Sequence, residues 1–303
     1  MPTQVRPFSR DDREQITTLI NAHISAVVPN VSVSVPGLLS QIAREPGEFI
    51  VEPWVVERRT LVAEQRGRIV AAAHLVRYGR DEKVSSDYRD VGEIRWLVCW
   101  PAASYWPDAM AAGEALANGC LSQLQRWGVS RCFADGSLPA PGVFGVPEQW
   151  PHIRALYERA GFRHDGRTEA VFLALLDDLP RPGPPPLPDM TEVRTVGVNG
   201  TRFSAVVGGR VLGYIEVDIS LDTADRMSRL NAWADVGNFH VEEANWHQGV
   251  GTWLIATAAE WLRLGGVSRL LGYASTEDTA YAAFLQQVGF RVLTRTIRGH
   301  VKP

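Results

Sequence analysis

Asn245-Trp246-His247-Gln248-Gly249-Val250-Gly251-Thr252-Trp253-Leu254 places two glycines on a turn that runs directly into an amphipathic helix. A strand-like run from Gly237 to Val241 precedes the turn, so the local order is strand, glycine turn, helix. The turn directs backbone N–H groups and the positive end of a helix dipole at one point, which suits a phosphate group. Glycine is favoured there because a side chain would block close approach. The apolar face of the helix consists of Leu254, Ala258, Trp261 and Leu262.

The turn does not match the two common nucleotide fingerprints. It has neither the third glycine of a Gly-x-Gly-x-x-Gly pattern nor a Gly-Lys-Ser/Thr sequence. A second pattern about forty residues downstream adds to it. There another amphipathic helix ends at Gly289-Phe290, and its apolar face consists of Tyr281, Phe284, Leu285 and Val288.

The segment from Gln248 to Thr252, the helix after it and the segment from Phe284 to Phe290 together resemble the GNAT superfamily of acyl-CoA-dependent N-acetyltransferases. The pyrophosphate loop of that family reads Arg/Gln-x-x-Gly-x-Gly/Ala, and its later helix ends in Tyr-x-x-x-Gly-Phe. Gly249 and Gly251 fit the loop. Trp246 replaces the usual arginine or glutamine, and Leu285 stands where the family often has tyrosine.

The chain carries the same pattern twice, which predicts a tandem duplication. Gly128-Val129-Ser130-Arg131 is repeated letter for letter as Gly266-Val267-Ser268-Arg269. Asp90-Val91-Gly92 matches Asp235-Val236-Gly237 in spelling. Three further blocks recur in the same order: the glycine hairpins 64–71 and 206–213, the helices containing Leu116 and Leu254, and the helices containing Leu156-Tyr157 and Phe284-Leu285.

A proline-rich stretch, 180–188, lies between the copies and reads as a semi-rigid linker. We therefore predict an N-terminal domain of residues 1–179 and a C-terminal domain of residues 189–303. The first opens with a helix capped by Ser9, whereas the second has one short strand before its hairpin. The predicted class is α/β (α+β): two tandem GNAT-like domains, each a mixed, mostly antiparallel twisted sheet flanked by helices, the C-terminal one truncated at its start.

Composition argues against nucleic-acid-binding, membrane-spanning and secreted proteins. The formal net charge is −3, without blocks of like charge, which argues against a nucleic-acid partner. No apolar run reaches the length of a membrane span, and the first residues lack the apolar core of a signal peptide. Three cysteines, an odd and sparse set, indicate a reducing compartment. We expect a cytoplasmic protein without a membrane partner or a metal.

The resemblance implies acetyl-CoA as cosubstrate and direct attack of an amine on its thioester. By resemblance, the diphosphate is bound at Gln248, Gly249, Val250, Gly251 and Thr252. The strand before the loop, at Phe239 and Val241, supplies a backbone N–H that polarises the thioester carbonyl.

Candidate proton acceptors in the second copy are Glu242 and Glu243, with Asp235 and His240 as further possibilities. Leu285 has no proton to give to the departing thiolate.

The first copy shows the reverse pattern: Tyr157 occupies the acid position, and Glu93 is a candidate base. Its loop keeps Gly113, but Ala111 replaces a glycine and Asp108 would face a phosphate with like charge.

These residues predict an N-acetyltransferase that moves an acetyl group to the amine of a small molecule and whose second half binds acetyl-CoA. Two alternatives stay open. One is a non-catalytic acyl-CoA-binding or scaffold protein; the other is a mycothiol-synthase-like or antibiotic-modifying acetyltransferase. Exposed strand edges allow pairing within the chain or across a homodimer.

Overall fold

The computed structural model describes residues 3–43, 54–101, 108–134, 142–219 and 232–302. These residues form two compact units. The first unit consists of the chain up to Thr168 and again from Thr296, and the second consists of the described residues from Glu169 to Arg295. None of the described helices is both long and apolar enough to cross a membrane.

The secondary structure alternates strands and helices in both units. The helices are α1 (Arg13–Ser25), α2 (Val35–Ile42), α3 (Ala109–Trp127), α4 (Pro151–Arg159), α5 (Val250–Leu264) and α6 (Thr279–Gln287). The strands are β1 (Gln4–Pro7), β2 (Val55–Gln65), β3 (Arg68–Tyr78), β4 (Val91–Cys99), β5 (Arg131–Phe133), β6 (Val146–Pro147), β7 (Thr168–Leu175), β8 (Thr191–Gly197), β9 (Gly200–Val207), β10 (Arg210–Asp218), β11 (Trp233–Val241), β12 (Arg269–Ser275), β13 (Arg291–Ile297) and β14 (Val301–Lys302).

The sheet of the first unit has the order β1-β2-β3-β4-β5-β14. Helices α1 and α2 lie between β1 and β2 in the chain, and α3 connects β4 to β5. β4 and β5 are parallel, whereas the pairs β1–β2, β2–β3, β3–β4 and β5–β14 are antiparallel. This is the mixed, mostly antiparallel sheet that the sequence predicts.

The sheet of the second unit follows the order β13-β7-β12-β11-β10-β9-β8, with the short β6 paired to the end of β13. β11 and β12 are parallel. β8 and β9 are joined by a two-residue turn at Val198 and Asn199, where the first unit has α1 and α2. The predicted truncation at the start of the second copy is therefore confirmed.

The compact units and the two sequence copies do not share the same ends. β7, which precedes the proline-rich linker, pairs with β12 in the second sheet. β14, at the end of the chain, pairs with β5 in the first sheet. The boundaries 1–179, 180–188 and 189–303 thus stay a prediction about the sequence copies.

A β-bulge fixes the correspondence between the copies. The register between β3 and β4 shifts at Arg95, and the register between β10 and β11 shifts at Gly237. Counting from these bulges, Glu93 corresponds to Asp235, and Asp90 corresponds to Ala232. Asp90 and Ala232 both have positive φ, at 56° and 66°. The spelling match of Asp90-Val91-Gly92 with Asp235-Val236-Gly237 is therefore wrong by three residues, because backbone pairing, not spelling, sets the register.

Candidate active site

The second unit contains an opening between its two parallel strands. β11 and β12 are in register only from Trp233 to Asp235. Farther along β11, the N–H of Glu242 donates to the carbonyl of Leu212 in β10, at 2.9 Å. Because N–H directions alternate along a strand, the N–H groups of Val241 and Phe239 point away from β10, toward the opening. This is the edge on which the sequence predicted contacts to a thioester.

The carbonyl of Val241 already has a partner within the chain. The Nε1 of Trp246 donates to it at 2.8 Å, and the Trp246 side chain is half exposed. This contact fastens the loop before α5 to the edge of β11 and leaves the N–H of Val241 for another acceptor.

Helix α5 begins at this same end of β11. Gly249 is its N-cap with φ of 84°, and the first bond of the helix runs from the N–H of Trp253 to the carbonyl of Gly249. The N–H groups of Val250, Gly251 and Thr252 therefore lie in the first turn, where a helix has no carbonyl of its own to offer. Three convergent N–H groups at a positive helix end form a site for an anion.

The two glycines of the loop have different physical roles. Gly249 needs its left-handed φ, which side chains rarely adopt. At Gly251 a Cβ atom would stand 3.2 Å from Cζ of Phe284 and 3.3 Å from Cζ of Phe239. The expectation that both glycines make room for phosphate is thus incomplete, because Gly251 makes room for packed aromatic rings.

The side chain of Gln248, the remaining residue of the predicted loop, forms a hydrogen bond within the loop. Its Nε2 donates to the carbonyl of Ala244 at 2.8 Å.

Three aromatic rings lie beside this loop in near-parallel planes. Phe239 has centroid distances of 5.5 Å to Tyr281 and 5.3 Å to Phe284. Leu285, one turn after Tyr281, is fully buried in the core. Burial and the nearby Asp278 carboxylate raise the pKa of the Tyr281 phenol. The sequence placed Tyr281 on an apolar helix face but gave no signal for its stacking on Phe239.

The corresponding helix of the first unit begins one turn earlier. Gly113 and Gly251 are matched, so Ala111 takes the position of Gly249. Helix α3 starts at Ala109 with Asp108 as its N-cap, and the N–H of Ala112 is bonded to the carbonyl of Asp108. The N–H of Ala112 is therefore bonded within α3, whereas the N–H of Val250, its counterpart, has no carbonyl of its own helix to bond. In addition, the Asp108 carboxylate lies at the positive end of α3.

Gly113 itself is a packing glycine. A Cβ atom there would stand 2.7 Å from Cδ1 of Leu156 and 3.3 Å from Sγ of Cys99. Leu156 and Phe284 are matched in the two copies, so both units use this glycine to bring the same two helices together.

Side chains fill the corresponding strand edge in the first unit. The Nε2 of His152 lies 3.1 Å from the carbonyl of Cys99 and 3.1 Å from Nε2 of His23. His23 also contacts the carbonyl of Leu19 at 2.8 Å. Burial lowers the pKa of His23 to about 4 and also lowers that of His152. Two uncharged imidazoles therefore cover the carbonyl that corresponds to Val241.

The predicted catalytic residues of the first unit lie in its interior. Glu93 accepts a hydrogen bond from the Tyr78 hydroxyl and lies 3.4 Å from Nε of Arg95. Tyr157 is fully buried, with ring contacts to Phe162 and His300. Both side chains are therefore buried within the first unit.

The predicted proton acceptors of the second unit lie at the end of β11, beside the loop. Glu242 forms an ion pair with Arg210 at 2.7 Å and accepts from Nδ2 of Asn245 at 3.3 Å. Glu243 is exposed and begins a short 3-10 turn. Asp235 lies at the other end of the opening, where Tyr273 O–H is 3.5 Å from its Oδ2. Within the described ranges, no group of three His, Cys, Asp or Glu residues is arranged to hold a metal ion.

Comparison with protein families identifies the second unit. Residues 168–290 match the acetyltransferase (GNAT) family. This range begins at β7, the strand that belongs to the second sheet. No curated protein matches the chain.

Solved structures share the fold of the whole chain at low identity. A tandem GNAT protein from the clavulanic acid biosynthesis pathway, without AcCoA, has a TM-score of 0.62 and 15% identity, with 99% of this chain and 98% of that chain covered. A GCN5-related N-acetyltransferase from Sphaerobacter thermophilus has a TM-score of 0.63 and 14% identity, covering 99% and 95%. A fungal glucosamine N-acetyltransferase region has a TM-score of 0.62 and 14% identity, and the match covers 99% of this chain and 38% of that longer chain.

The family match falls on the unit whose helix end and parting strands form the opening, and the two-unit fold is shared along the whole chain. Residues 168–290 therefore match the GNAT acetyltransferase family, and the chain as a whole shares its fold with a tandem GNAT protein.

Proposed function

We propose that the second unit binds acetyl-CoA and transfers its acetyl group to the amine of a small molecule. The observation that carries this proposal is the different start of the two equivalent helices. Gly249 ends the loop and leaves three amides at the start of α5, whereas Ala111 continues α3 over the same position. Only a helix end with unbonded amides offers an anion the charge-assisted hydrogen bonds that stabilise a diphosphate.

In this proposal the diphosphate lies against the N–H groups of Val250, Gly251 and Thr252, with Gln248 and Gly249 shaping the loop. The acyl arm runs along the edge of β11. There the N–H groups of Phe239 and Val241 are directed at it, and one of them polarises the thioester carbonyl.

The reaction is a direct transfer. The amine nitrogen forms a bond to the carbonyl carbon, the carbon–sulfur bond breaks, and its electron pair leaves on sulfur. A thiol with pKa near ~8.5 leaves as thiolate with little help from an acid, which is why the buried Leu285 does not exclude catalysis. Glu242 and Glu243 are the proposed acceptors for the proton that the amine gives up.

The first unit has a mainly structural role in this proposal. Its helix end carries Asp108, and its strand edge is covered by His152 and His23. Catalytic roles for Glu93 and Tyr157, and a cofactor contact at Gly113, stay predictions. So do a cytoplasmic location and a homodimer.

A charge placed at Thr252 tests the cofactor site. Thr252 is exposed in the first turn of α5, and its counterpart in the first copy is Glu114. In Thr252→Glu the carboxylate favours the helix but repels a diphosphate, so we expect the Kd for acetyl-CoA, measured by calorimetry, to rise at least about tenfold. The melting temperature should stay level or rise.

Thr252→Gln is the matched neutral control, with an expected Kd within about threefold of the wild type, because it adds the same bulk without charge. An unchanged Kd in Thr252→Glu would show that acetyl-CoA does not lie at α5. Release of free thiol in the presence of a panel of amines then tests transfer. Tight binding of acetyl-CoA without thiol release would favour the non-catalytic alternative.

A further inference from the structure

Strand β8 lies at one end of the second sheet and is exposed along its length. β9 is beside it, and among the described residues no strand pairs with its other edge. Each residue from Thr191 to Val196 is exposed, and 95% of the surface of Val196 is accessible. An edge strand of this kind offers its backbone groups to a strand of another chain.

The sequence of β8 lacks the features that usually protect a sheet edge. It contains neither proline nor lysine, and its pairing with β9 runs without a bulge. Four of its residues are β-branched, which favours an extended strand: Thr191, Val193, Thr195 and Val196. The composition therefore supports strand pairing at this edge.

The hairpin between β8 and β9 determines which backbone groups point outward. Gly197 and Gly200 flank a two-residue turn and are paired with each other, so they exchange the hydrogen bonds that close the hairpin. Because these directions alternate along a strand, the N–H and C=O groups of Glu192, Arg194 and Val196 point away from β9. They form the outer edge of the sheet.

Two of these outer residues carry opposite charges on the same face. Arg194 is the cross-strand partner of Phe203, and its guanidinium lies 4.9 Å from the centre of that ring. Phe203 belongs to the core that contains α5, so Arg194 lies on the α5 face. Glu192, two residues earlier, shares this face, and its Oε1 is 3.0 Å from Nη2 of Arg194. Both side chains are partly exposed.

Antiparallel pairing of β8 with β8 of a second copy is self-complementary in one register. When Val193 lies opposite Val193 of the second copy, each Glu192 lies opposite the other copy's Arg194. These are residues whose backbone groups point outward, so the two pairs exchange four hydrogen bonds. Opposite charges directly across a strand pair also stabilise it.

The neighbouring registers do not have this complementarity. Moving the two-fold axis by one residue places Glu192 opposite Glu192 or Arg194 opposite Arg194, and like charges directly opposite each other destabilise a sheet. Centring the axis on Thr195 forms neither ion pair. The charges of β8 therefore favour a second copy of this chain, in the register centred on Val193.

We propose that the protein forms a homodimer in which β8 of each copy pairs in antiparallel register across a two-fold axis at Val193. The second sheet then continues from one copy into the other. Each copy contributes one short strand to the contact, so we expect a weak dimer with a Kd of about 10 µM. This assembly does not depend on acetyl-CoA.

Sedimentation equilibrium of the full chain tests the proposal, at concentrations from about 1 to about 200 µM. The wild-type mass should rise from that of one chain to that of two. Glu192→Arg and Arg194→Glu should each raise the Kd of the dimer at least about tenfold, because each places like charges opposite each other at both pairs. Salt of about 1 M should also weaken the wild-type dimer.

A mixture of the two variants tests the register. Equal amounts of the Glu192→Arg chain and the Arg194→Glu chain should form a heterodimer with a Kd within about threefold of the wild-type value, because each pair across the axis again joins opposite charges. The double variant, with both substitutions in one chain, should recover the homodimer for the same reason.

Glu277→Arg is the matched control. Glu277 is an exposed carboxylate on the β12–α6 connection, so this variant makes the same change of charge away from β8. Its dimer Kd should stay within about twofold of the wild-type value. Melting temperatures at about 1 µM, where each chain is mainly monomeric, should agree within about 2 °C and so show that the variants are folded.

Three results would overturn the proposal. One is a wild type that remains monomeric up to about 200 µM. Another is a wild-type dimer whose Kd is unchanged in Glu192→Arg and Arg194→Glu, because that dimer forms through another surface. The third is a mixture of the two variants that stays monomeric, which would exclude the register centred on Val193.

Discussion

The indole nitrogen of Trp246 donates to the carbonyl oxygen of Val241 at 2.8 Å, and this bond ties the loop before α5 to the open edge of β11. In the family pattern this position carries arginine or glutamine, so a cation or an amide has been replaced by an aromatic ring that is fixed by the strand. The ring is half exposed and lies next to the proposed diphosphate site.

Trp246 should report cofactor binding. Addition of acetyl-CoA to the wild type should change the tryptophan emission, because the environment of a half-exposed indole next to the ligand is altered. In Trp246→Phe most of that change should be lost. Trp261, which packs on the core along α5, gives the matched control variant Trp261→Phe. If Trp246→Phe retained the full signal, the ligand would lie elsewhere.

Alanine at the two helix glycines should lower stability. In Gly113→Ala the new methyl group would stand 2.7 Å from Leu156, and in Gly251→Ala 3.2 Å from Phe284. We expect each to cost about 1–3 kcal/mol from overpacking, offset by up to about 1 kcal/mol of helix propensity. Urea unfolding measures the difference. Gly183→Ala, with open space around it, should stay within about 0.5 kcal/mol. Equal stability of all three would contradict the packing role.

Stability should fall between pH 6.5 and 4 because of the buried imidazoles. Burial lowers the pKa of His23 to about 4 in the folded state, so the unfolded chain binds more protons in this range. The loss reaches up to about 3 kcal/mol for this group, since one pKa unit corresponds to about 1.4 kcal/mol. Thermal melts from pH 8 to pH 4.5 measure it. His152→Gln keeps a donor near Cys99 and should show a shallower pH dependence. An unchanged slope would show that the pair does not control it.

Glu216 should anchor the turn between β8 and β9. Its fully buried carboxylate lies 2.6 Å from Nη2 of Arg202 and accepts from the N–H groups of Val198 and Asn199. Glu216→Ala leaves these groups unpaired, so we expect a loss of about 2–4 kcal/mol.

The wild-type contribution of Glu216 should also depend on pH. Its pKa is lowered in the folded state despite the opposing effect of burial, because the two turn amides and Arg202 stabilise the anion. The contribution is present at neutral pH and is lost as pH falls below the ordinary range of a glutamate. Melts at pH 7 and pH 4 should therefore differ less for Glu216→Ala than for the wild type. Glu192→Gln, whose side chain is paired with Arg194 at 3.0 Å, is the surface control.

Local chemistry in the sequence predicted the elements well. Ser9, which was predicted to cap the first helix, caps a 3-10 turn that leads directly into α1. Helix α5 starts directly after Gly249 and ends at Leu264, with Gly265 as its C-cap. These features depend on neighbours within one helical turn, which a single sequence displays.

Strand register and contacts between residues that are distant in the chain could not be predicted from the sequence. The register that matches Glu93 with Asp235 depends on hydrogen bonds between strands and on a bulge, and neither can be recognised in the amino-acid sequence. The contact of Tyr281 with Phe239 joins residues far apart in the chain, and nothing in either helix or strand pattern specifies it. The imidazole pair of His23 and His152 is a case of the same kind.

The placement of β14 affects how the molecule is made. The first sheet includes Val301 and Lys302, which are synthesised long after their partner strand, which ends at Phe133. Vectorial synthesis usually lets an amino-terminal domain mature before the rest exists. Here that sheet stays incomplete until residues 301 and 302 have been synthesised, so the first unit should gain full protease resistance only after that point, and a truncation that removes these two residues should destabilise the amino-terminal half.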